Sequence, residues 1–101
     1  MEKFLLKFLW LDKSIAVALD QRVEDKVTPL TEYYFWPQKD AWDLMKIYLE
    51  KTTWISQTES ISLLNKITEV INFWQEKDLT NKKDIHKARI FFKDVQFIGY
   101  D

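Results

Sequence analysis

The chain has 101 residues, of which 47% are hydrophobic, so it is long enough for one domain with one core and too apolar to be disordered. It contains no cysteine, which excludes a disulfide framework and thiolate metal sites. Its 15 basic and 16 acidic residues give a net charge of −1, whereas proteins with extensive phosphate contacts usually carry a basic excess.

No apolar run is long enough to span a bilayer, so we expect no membrane association. The N-terminal residues are apolar, but Glu2 and Lys7 interrupt them and no small-residue cleavage site follows. An Arg/Ser-rich transit segment is also missing. We therefore expect the protein to be made where it works, unless a presequence has already been removed.

Two strand-like segments flank Asp12 and Lys13 and predict an N-terminal antiparallel hairpin. With a two-residue turn there, the numbers of opposed residues sum to 25. This register places three large apolar pairs on one face: Trp10–Ile15, Phe8–Val17 and Leu6–Leu19. Smaller or mixed pairs occupy the other face: Leu9–Ala16, Lys7–Ala18 and Leu11–Ser14. A short amphipathic helix over residues 3–11 is the alternative, and the β-branched residues favour the hairpin.

The stretch from Pro29 to Trp42 contains five aromatic residues and separates a strand-like apolar pattern from a helical one. Residues 21–28, just before it, are polar and charged and are predicted to form an exposed loop. Residues 30–36 predict a third strand, and the flanking Pro29 and Pro37 favour a position at the edge of the sheet. We expect the aromatic rings to fill the seam between a sheet and a helical layer.

Two helices are predicted after Pro37. Asp40 is a good N-cap for a helix over Ala41–Lys51. Ser56 and Glu59 have the spacing of a capping box and predict a second helix that runs to about residue 77. The apolar face of this second helix is predicted to contain Ile61, Leu64, Ile67, Ile71 and Trp74, broadened by Leu63, Val70 and Phe73.

These elements predict an α+β fold in which the N-terminal antiparallel hairpin and a third strand pack against two main helices. We expect residues 1–78 to form this single domain and residues 79–101 to form a basic C-terminal extension. The periodicity of the last segment is ambiguous. It is compatible with a short helix over residues 85–92 and an extended end through Val95, Phe97 and Ile98.

Candidate catalytic groups are few. Gly99 is the only glycine, which excludes glycine-rich loops that cradle phosphates. Glu32 and Asp40 are more simply a surface charge and a helix cap than an acid–base pair. His86 lies among basic residues, which disfavour its protonation and its binding of metal. We expect no enzymatic activity, no metal, no cofactor and no small-molecule substrate.

Positive charge is in excess only in residues 79–101, which contain five basic and three acidic residues. Basic side chains there can reach phosphates, and the neighbouring phenylalanines can stack on unpaired bases. The predicted phosphate contacts are Lys82, Lys83, Lys87, Arg89 and Lys93, helped by Lys7 and Lys13 of the hairpin. The alternative is a solvated, charged helix end whose apolar side faces the core.

A near-neutral, aromatic-rich domain without a catalytic constellation is typical of an interaction module that docks on a larger assembly. Five tryptophans exceed what a core of this size needs, and aromatic residues dominate interface hot spots. The predicted anchors for a neighbouring protein are Tyr33, Tyr34, Trp36 and Trp54.

Four separate motifs, in this order, resemble the plastid-specific ribosomal protein three family. They are LKFLWLDKSIAVALDQ at residues 6–21, PLTEYYFWP at 29–37 with DAW at 40–42, WIS at 54–56, and LLNKITEVINFWQ at 63–75. The resemblance covers roughly residues 4–76 and leaves residues 77–101 without a match.

The resemblance implies a non-catalytic component of the small (30S) subunit of chloroplast ribosomes that contacts rRNA and neighbouring ribosomal proteins, as a monomer within the ribosome. It implies a location in the plastid stroma and a plastid gene, with the cyanobacterial cytoplasm as the alternative. The low net charge fits a peripheral addition to the particle. A loosely bound regulatory factor of the ribosome and a non-ribosomal protein-interaction module are the alternative functions.

Overall fold

A computed structural model of the chain describes residues 2–76 and 85–99. Four strands come first: β1 (Glu2–Trp10), β2 (Ile15–Val23), β3 (Lys26–Pro29) and β4 (Tyr34–Trp36). Helices α1 (Ala41–Lys51), α2 (Gln57–Gln75) and α3 (Ile85–Phe91) follow, and strand β5 (Gln96–Gly99) ends the described chain. The strands form a mixed sheet in the order β3-β2-β1-β5, and β4 also pairs with β2. The predicted α+β class is confirmed.

The N-terminal hairpin has the predicted register, with Trp10 opposite Ile15 and Leu6 opposite Leu19. The Leu11 amide donates to the Ser14 carbonyl at 3.1 Å and closes the turn around Asp12 and Lys13. The large apolar side chains of one hairpin face are all buried in the core: Leu6, Phe8, Trp10, Ile15, Val17 and Leu19. The helical alternative for residues 3–11 is wrong.

Residues 21–28 form a second hairpin, so the predicted loop is wrong. Strand β2 continues to Val23 and pairs with β3, with Val23 opposite Lys26. The turn places Glu24 at a φ of 55°. Every residue from 22 to 29 is exposed, so this ribbon shows no alternation of apolar and polar residues. Its turn also lacks the Gly or Asn that usually marks a tight hairpin.

The predicted third strand is present but shorter, because β4 covers only Tyr34–Trp36 and pairs with Ile15–Val17 of β2. Before β4 the chain is held by the backbone of Leu19. The Leu30 and Thr31 amides donate to the Leu19 carbonyl at 2.9 and 3.2 Å, and the Leu19 amide donates to Thr31 Oγ1 at 2.9 Å. The Thr31 hydroxyl thus accepts the hydrogen bond that the carbonyl of a neighbouring strand would otherwise accept from the Leu19 amide.

Both main helices begin at their predicted caps. Asp40 Oδ1 accepts from the Asp43 amide at 3.0 Å, and Ser56 Oγ accepts from the Glu59 amide at 3.1 Å. Helix α2 ends at Gln75, two residues before the predicted end. The prediction for Ile61 is wrong: it is 52% exposed, because it lies two positions before buried Leu63, a rotation of about 200° about the helix axis. Six residues of α2 are buried: Leu63, Ile67, Val70, Ile71, Phe73 and Trp74.

Residues 85–99 belong to the same hydrophobic core as residues 2–76. Strand β5 pairs in parallel with β1, and Phe97 stacks on Phe8 with 5.6 Å between the ring centroids. Ile85 and Ala88 of α3 are also buried. The boundary predicted at residue 78 therefore falls within one core. The local sequence pattern did not reveal it, because β5 pairs with a strand that is distant in the chain. Lys82 and Lys83 lie outside the described residues.

Gly99 tests the pairing of β5 with β1. A Cβ atom at this position would lie 2.5 Å from the Trp10 carbonyl oxygen, a backbone atom that cannot move without disturbing the ladder. Gly99→Ala should lower the free energy of unfolding by about 1–3 kcal/mol, measured by urea denaturation. The matched control is Gln96→Ala, an exposed position of the same strand, which should change it much less. Equal unfolding midpoints for the two variants would contradict the prediction.

Candidate functional site

The sheet face opposite the core carries a largely apolar surface, which we call the open sheet face. Alternation along β1, β2, β4 and β5 assigns to it Leu5, Lys7, Leu9, Ala16, Ala18, Asp20, Phe35 and Ile98, together with the polar Arg22 and Gln96. Phe35 and Ile98 are 39% and 41% exposed, and Leu5 and Leu9 are half-buried. Ala16 and Ala18 are buried and form the floor between these larger residues. Such a surface suits contact with another macromolecule.

Lys7, a predicted phosphate contact, is engaged within the protein. Its Nζ lies 3.3 Å from Asp20 Oδ2 and 5.5 Å from the centroid of the Tyr33 ring. Asp20 is itself buried, so this ion pair is well shielded from water. Lys13, by contrast, is exposed at the hairpin turn. The two lysines predicted on the hairpin thus lie in different environments.

The four predicted protein anchors divide by exposure. Tyr33, Tyr34 and Trp36 are half-buried, and Tyr34 and Trp36 pack against the hydrophobic core. Trp54 is 54% exposed and lies against Phe4, with 5.8 Å between the ring centroids. Trp54 is therefore the most accessible of the four, and Tyr33 borders the open sheet face through its contact with Lys7.

In the described part of the last segment, the basic residues lie on α3 and on the turn after it. Lys87, Arg89 and Lys93 are all exposed, and Arg89 Nη2 donates to the Phe97 carbonyl at 3.1 Å. Arg89 thereby ties α3 to β5. The structure brings these three residues into one short segment and places Lys7 and Lys13 on other elements.

Two neighbouring apolar residues of α3 are also exposed, which periodicity did not predict. Ile90 is 66% exposed and Phe91 is 68% exposed. The periodicity of this segment did not show which of its three phenylalanines faces solvent. In the structure, Phe91 is exposed, Phe92 is half-buried and Phe97 is buried.

A pocket of about 340 Å³ lies between the end of α1 and the start of α2. Its apolar lining includes Leu49, Ile55 and Ile61, and Lys46 and Glu50 are its charged residues. Across residues 2–76 and 85–99, no group of three or more His, Cys, Asp or Glu side chains is placed to hold a metal ion. Within the same residues, no helix is both long and apolar enough to cross a membrane.

Comparison with known proteins identifies relatives of this chain. A family described as plastid and cyanobacterial ribosomal protein (PSRP-3 / Ycf65) matches residues 30–77. Small ribosomal subunit protein cS23 of Euglena viridis is 57% identical over 101 residues, which is 100% of both chains. The chain belongs to this family. The resemblance seen in its four motifs is thereby confirmed.

More distant relatives also match nearly the whole chain. Small ribosomal subunit protein cS23 of Gracilaria tenuistipitata var. liui is 48% identical over 99 residues, 98% of each chain. A probable small ribosomal subunit protein cS23 of Synechococcus sp. (strain JA-2-3B'a(2-13)) is 46% identical over 99 residues, again 98% of each chain. The similarity to the family thus extends into the C-terminal residues, where the motifs gave no resemblance.

Tyr34 gives the aromatic stretch a dependence on pH. Burial raises the pKa of its hydroxyl above the ordinary value of 10.0, and the nearby Glu32 and Tyr48 raise it further. Because the folded-state pKa is the higher one, the neutral hydroxyl stabilises the fold fully below pH 10.0, and this contribution is lost as the pH rises through the folded-state pKa.

Tyr34→Phe should therefore reduce the fall in unfolding free energy on going from neutral pH to pH above 10.0. The measurement is urea denaturation of both proteins across this range. Tyr33→Phe keeps Tyr34 in place and is the matched control, which should retain the wild-type fall. If the unfolding free energy of Tyr34→Phe falls as much over this pH range as that of the wild type, the prediction is wrong.

Proposed function

We propose that the protein is a non-catalytic, structural component of the small (30S) subunit of plastid ribosomes, where it contacts rRNA and neighbouring ribosomal proteins and supports translation. The observation that carries this proposal is the 57% identity, over the full length of both chains, to a relative named small ribosomal subunit protein cS23. Relatives of that name occur in Euglena and in Gracilaria, which favours the plastid stroma and a plastid gene. The cyanobacterial cytoplasm is the alternative, supported by the Synechococcus relative.

The two surfaces described above suit two kinds of partner. The open sheet face and Trp54 offer apolar and aromatic area, which favours contact with neighbouring ribosomal proteins. The α3 segment offers exposed cations, which favours contact with rRNA phosphates through Lys87, Arg89 and Lys93. Lys82 and Lys83, which lie outside the described residues, stay predicted phosphate contacts.

The near-neutral net charge supports a peripheral position on the particle with a limited contact with rRNA. A protein that penetrates rRNA neutralises many phosphates and needs a larger excess of cations. A loosely associated regulatory factor is the second candidate, because the same charge distribution fits a protein held only by a few screened contacts.

Cosedimentation with ribosomes tests the proposal. In sucrose gradients of an organelle lysate, the protein should comigrate with the small subunit at low and at high salt, because apolar contacts persist when charges are screened. Loss only at high salt would favour the loosely bound factor. Absence from ribosomal fractions at every salt concentration would overturn the proposed function.

The predicted phosphate contacts are tested by Lys87→Gln combined with Lys93→Gln. The variant should dissociate from ribosomes at a lower salt concentration than the wild type. The slope of log affinity against log salt concentration should fall by about 0.7–0.9 for each phosphate that a lysine no longer neutralises. The matched control changes Lys39 and Lys51, two exposed lysines near the ends of α1, to glutamine. Equal salt dependence in both variants would overturn the assignment.

Substitutions are the better test here than truncation after residue 78. Truncation would remove Ile85, Ala88 and Phe97 from the hydrophobic core, so that a loss of ribosome binding could result from unfolding alone.

A further inference from the structure

Phe91 is the most exposed of the large apolar side chains in the described residues, and its ring is nevertheless held in place. It is 68% exposed, and its ring lies against Phe73 with 5.4 Å between the centroids and 53° between the planes. Phe73 is buried and fixed in α2. An exposed aromatic ring that packs against a buried ring has the form of a stacking platform.

One cation shares the helix face of this ring, and a second follows it closely in the chain. Lys87 lies four residues before Phe91, so both side chains occupy one helix face and their Cα atoms are separated by about 6 Å along the axis. Lys93 follows two residues after Phe91 and is exposed. A nucleotide carries its phosphate close to its base, so one nucleotide can engage both the ring and a lysine.

The charge of the segment favours RNA over a protein as the occupant. Residues 85–99 contain three basic residues and one acidic residue, Asp94. Asp94 Oδ2 is paired with Lys66 Nζ at 3.4 Å, so its charge is partly neutralised by α2. At the centre of the open sheet face, the charge of Lys7 is balanced by Asp20, with which it is paired.

We propose that Phe91 stacks on an unpaired base of rRNA while Lys87 and Lys93 bind the adjacent phosphates. Ile90, which is 66% exposed beside it, supplies apolar contact to the sugar or to the edge of the base. Every base has a π-face, so the contact is tolerant of sequence and requires a single-stranded or bulged nucleotide. This inference rests on the proposed function and adds the class of nucleotide that this part of the chain binds.

The first test uses the purified full-length protein and a fluorescently labelled, unstructured RNA 12-mer, with the same sequence in a blunt duplex for comparison. The protein should bind the single strand more tightly than the duplex. Phe91→Ala should weaken binding to the single strand by about 5- to 150-fold, the range for loss of one stacked base. Equal affinity for single strand and duplex would overturn the proposal.

Three further variants separate stacking from packing. Phe91→Leu keeps an apolar contact with Phe73 without an aromatic face and should bind as weakly as Phe91→Ala, whereas Phe91→Trp should retain wild-type affinity. Phe35→Ala removes another partly exposed phenylalanine, on the open sheet face, and should change nothing. Wild-type affinity in Phe91→Leu would overturn the proposal, and this comparison decides even if Phe91→Ala is poorly folded.

The second test uses small subunits isolated from the organelle and first probed for the protein. Ultraviolet crosslinking followed by mass spectrometry should place a crosslinked nucleotide on the peptide that contains Phe91. If the protein is present in the subunits but this peptide carries no nucleotide, the inference fails and the proposed function stands. If the protein is absent from the subunits yet binds the RNA 12-mer through Phe91, the proposed function fails and the stacking site stands.

Discussion

Strand β1 lies in the interior of the sheet, and the rest of the structure depends on its two partners. It pairs antiparallel with β2 on one side and parallel with β5 on the other. A continuous series of ring contacts leads from it into the helical layer: Phe8 and Trp10 contact Phe97, Trp10 contacts Phe73, and Phe73 contacts Phe91 and Phe92. The Trp74 indole also donates to the Leu11 carbonyl at 3.0 Å, joining α2 to the end of the hairpin. Many of the aromatic residues therefore build the core, and the exposed ones are exceptions.

The two faces of the sheet differ in what covers them. One face is committed to α1, α2 and α3, and the other presents apolar side chains and the shielded Lys7–Asp20 pair. In the described residues near the C-terminus, the exposed cations lie on α3 and on the turn after it, and α3 is itself part of the core through Ile85 and Ala88. The basic segment is thus held rigidly against the domain, and a ligand bound there does not have to order it.

The sequence predicted those elements whose signals are local. The hairpin register followed from period-two alternation, and both main helices followed from Asp40, Ser56 and their apolar stripes. The β2–β3 ribbon was missed because it buries almost nothing, and the partner of β5 was missed because a parallel pairing with β1 depends on residues far apart in the chain. For the interaction surfaces, sequence identified the basic residues of α3 but could not tell which phenylalanine faces water, nor that Lys7 is paired with Asp20.

The parallel pairing also determines when the fold can be completed. Lys7 lies opposite Gln96, so the sheet joins residues that are 89 positions apart in the chain. Until the last strand is available, one edge of β1 has unpaired amides and carbonyls, and Phe8 and Trp10 lack the cover of Phe97. Contacts of such long sequence separation slow folding and leave an exposed strand edge that can pair with another chain. This edge of β1 is therefore protected only when β5 has docked.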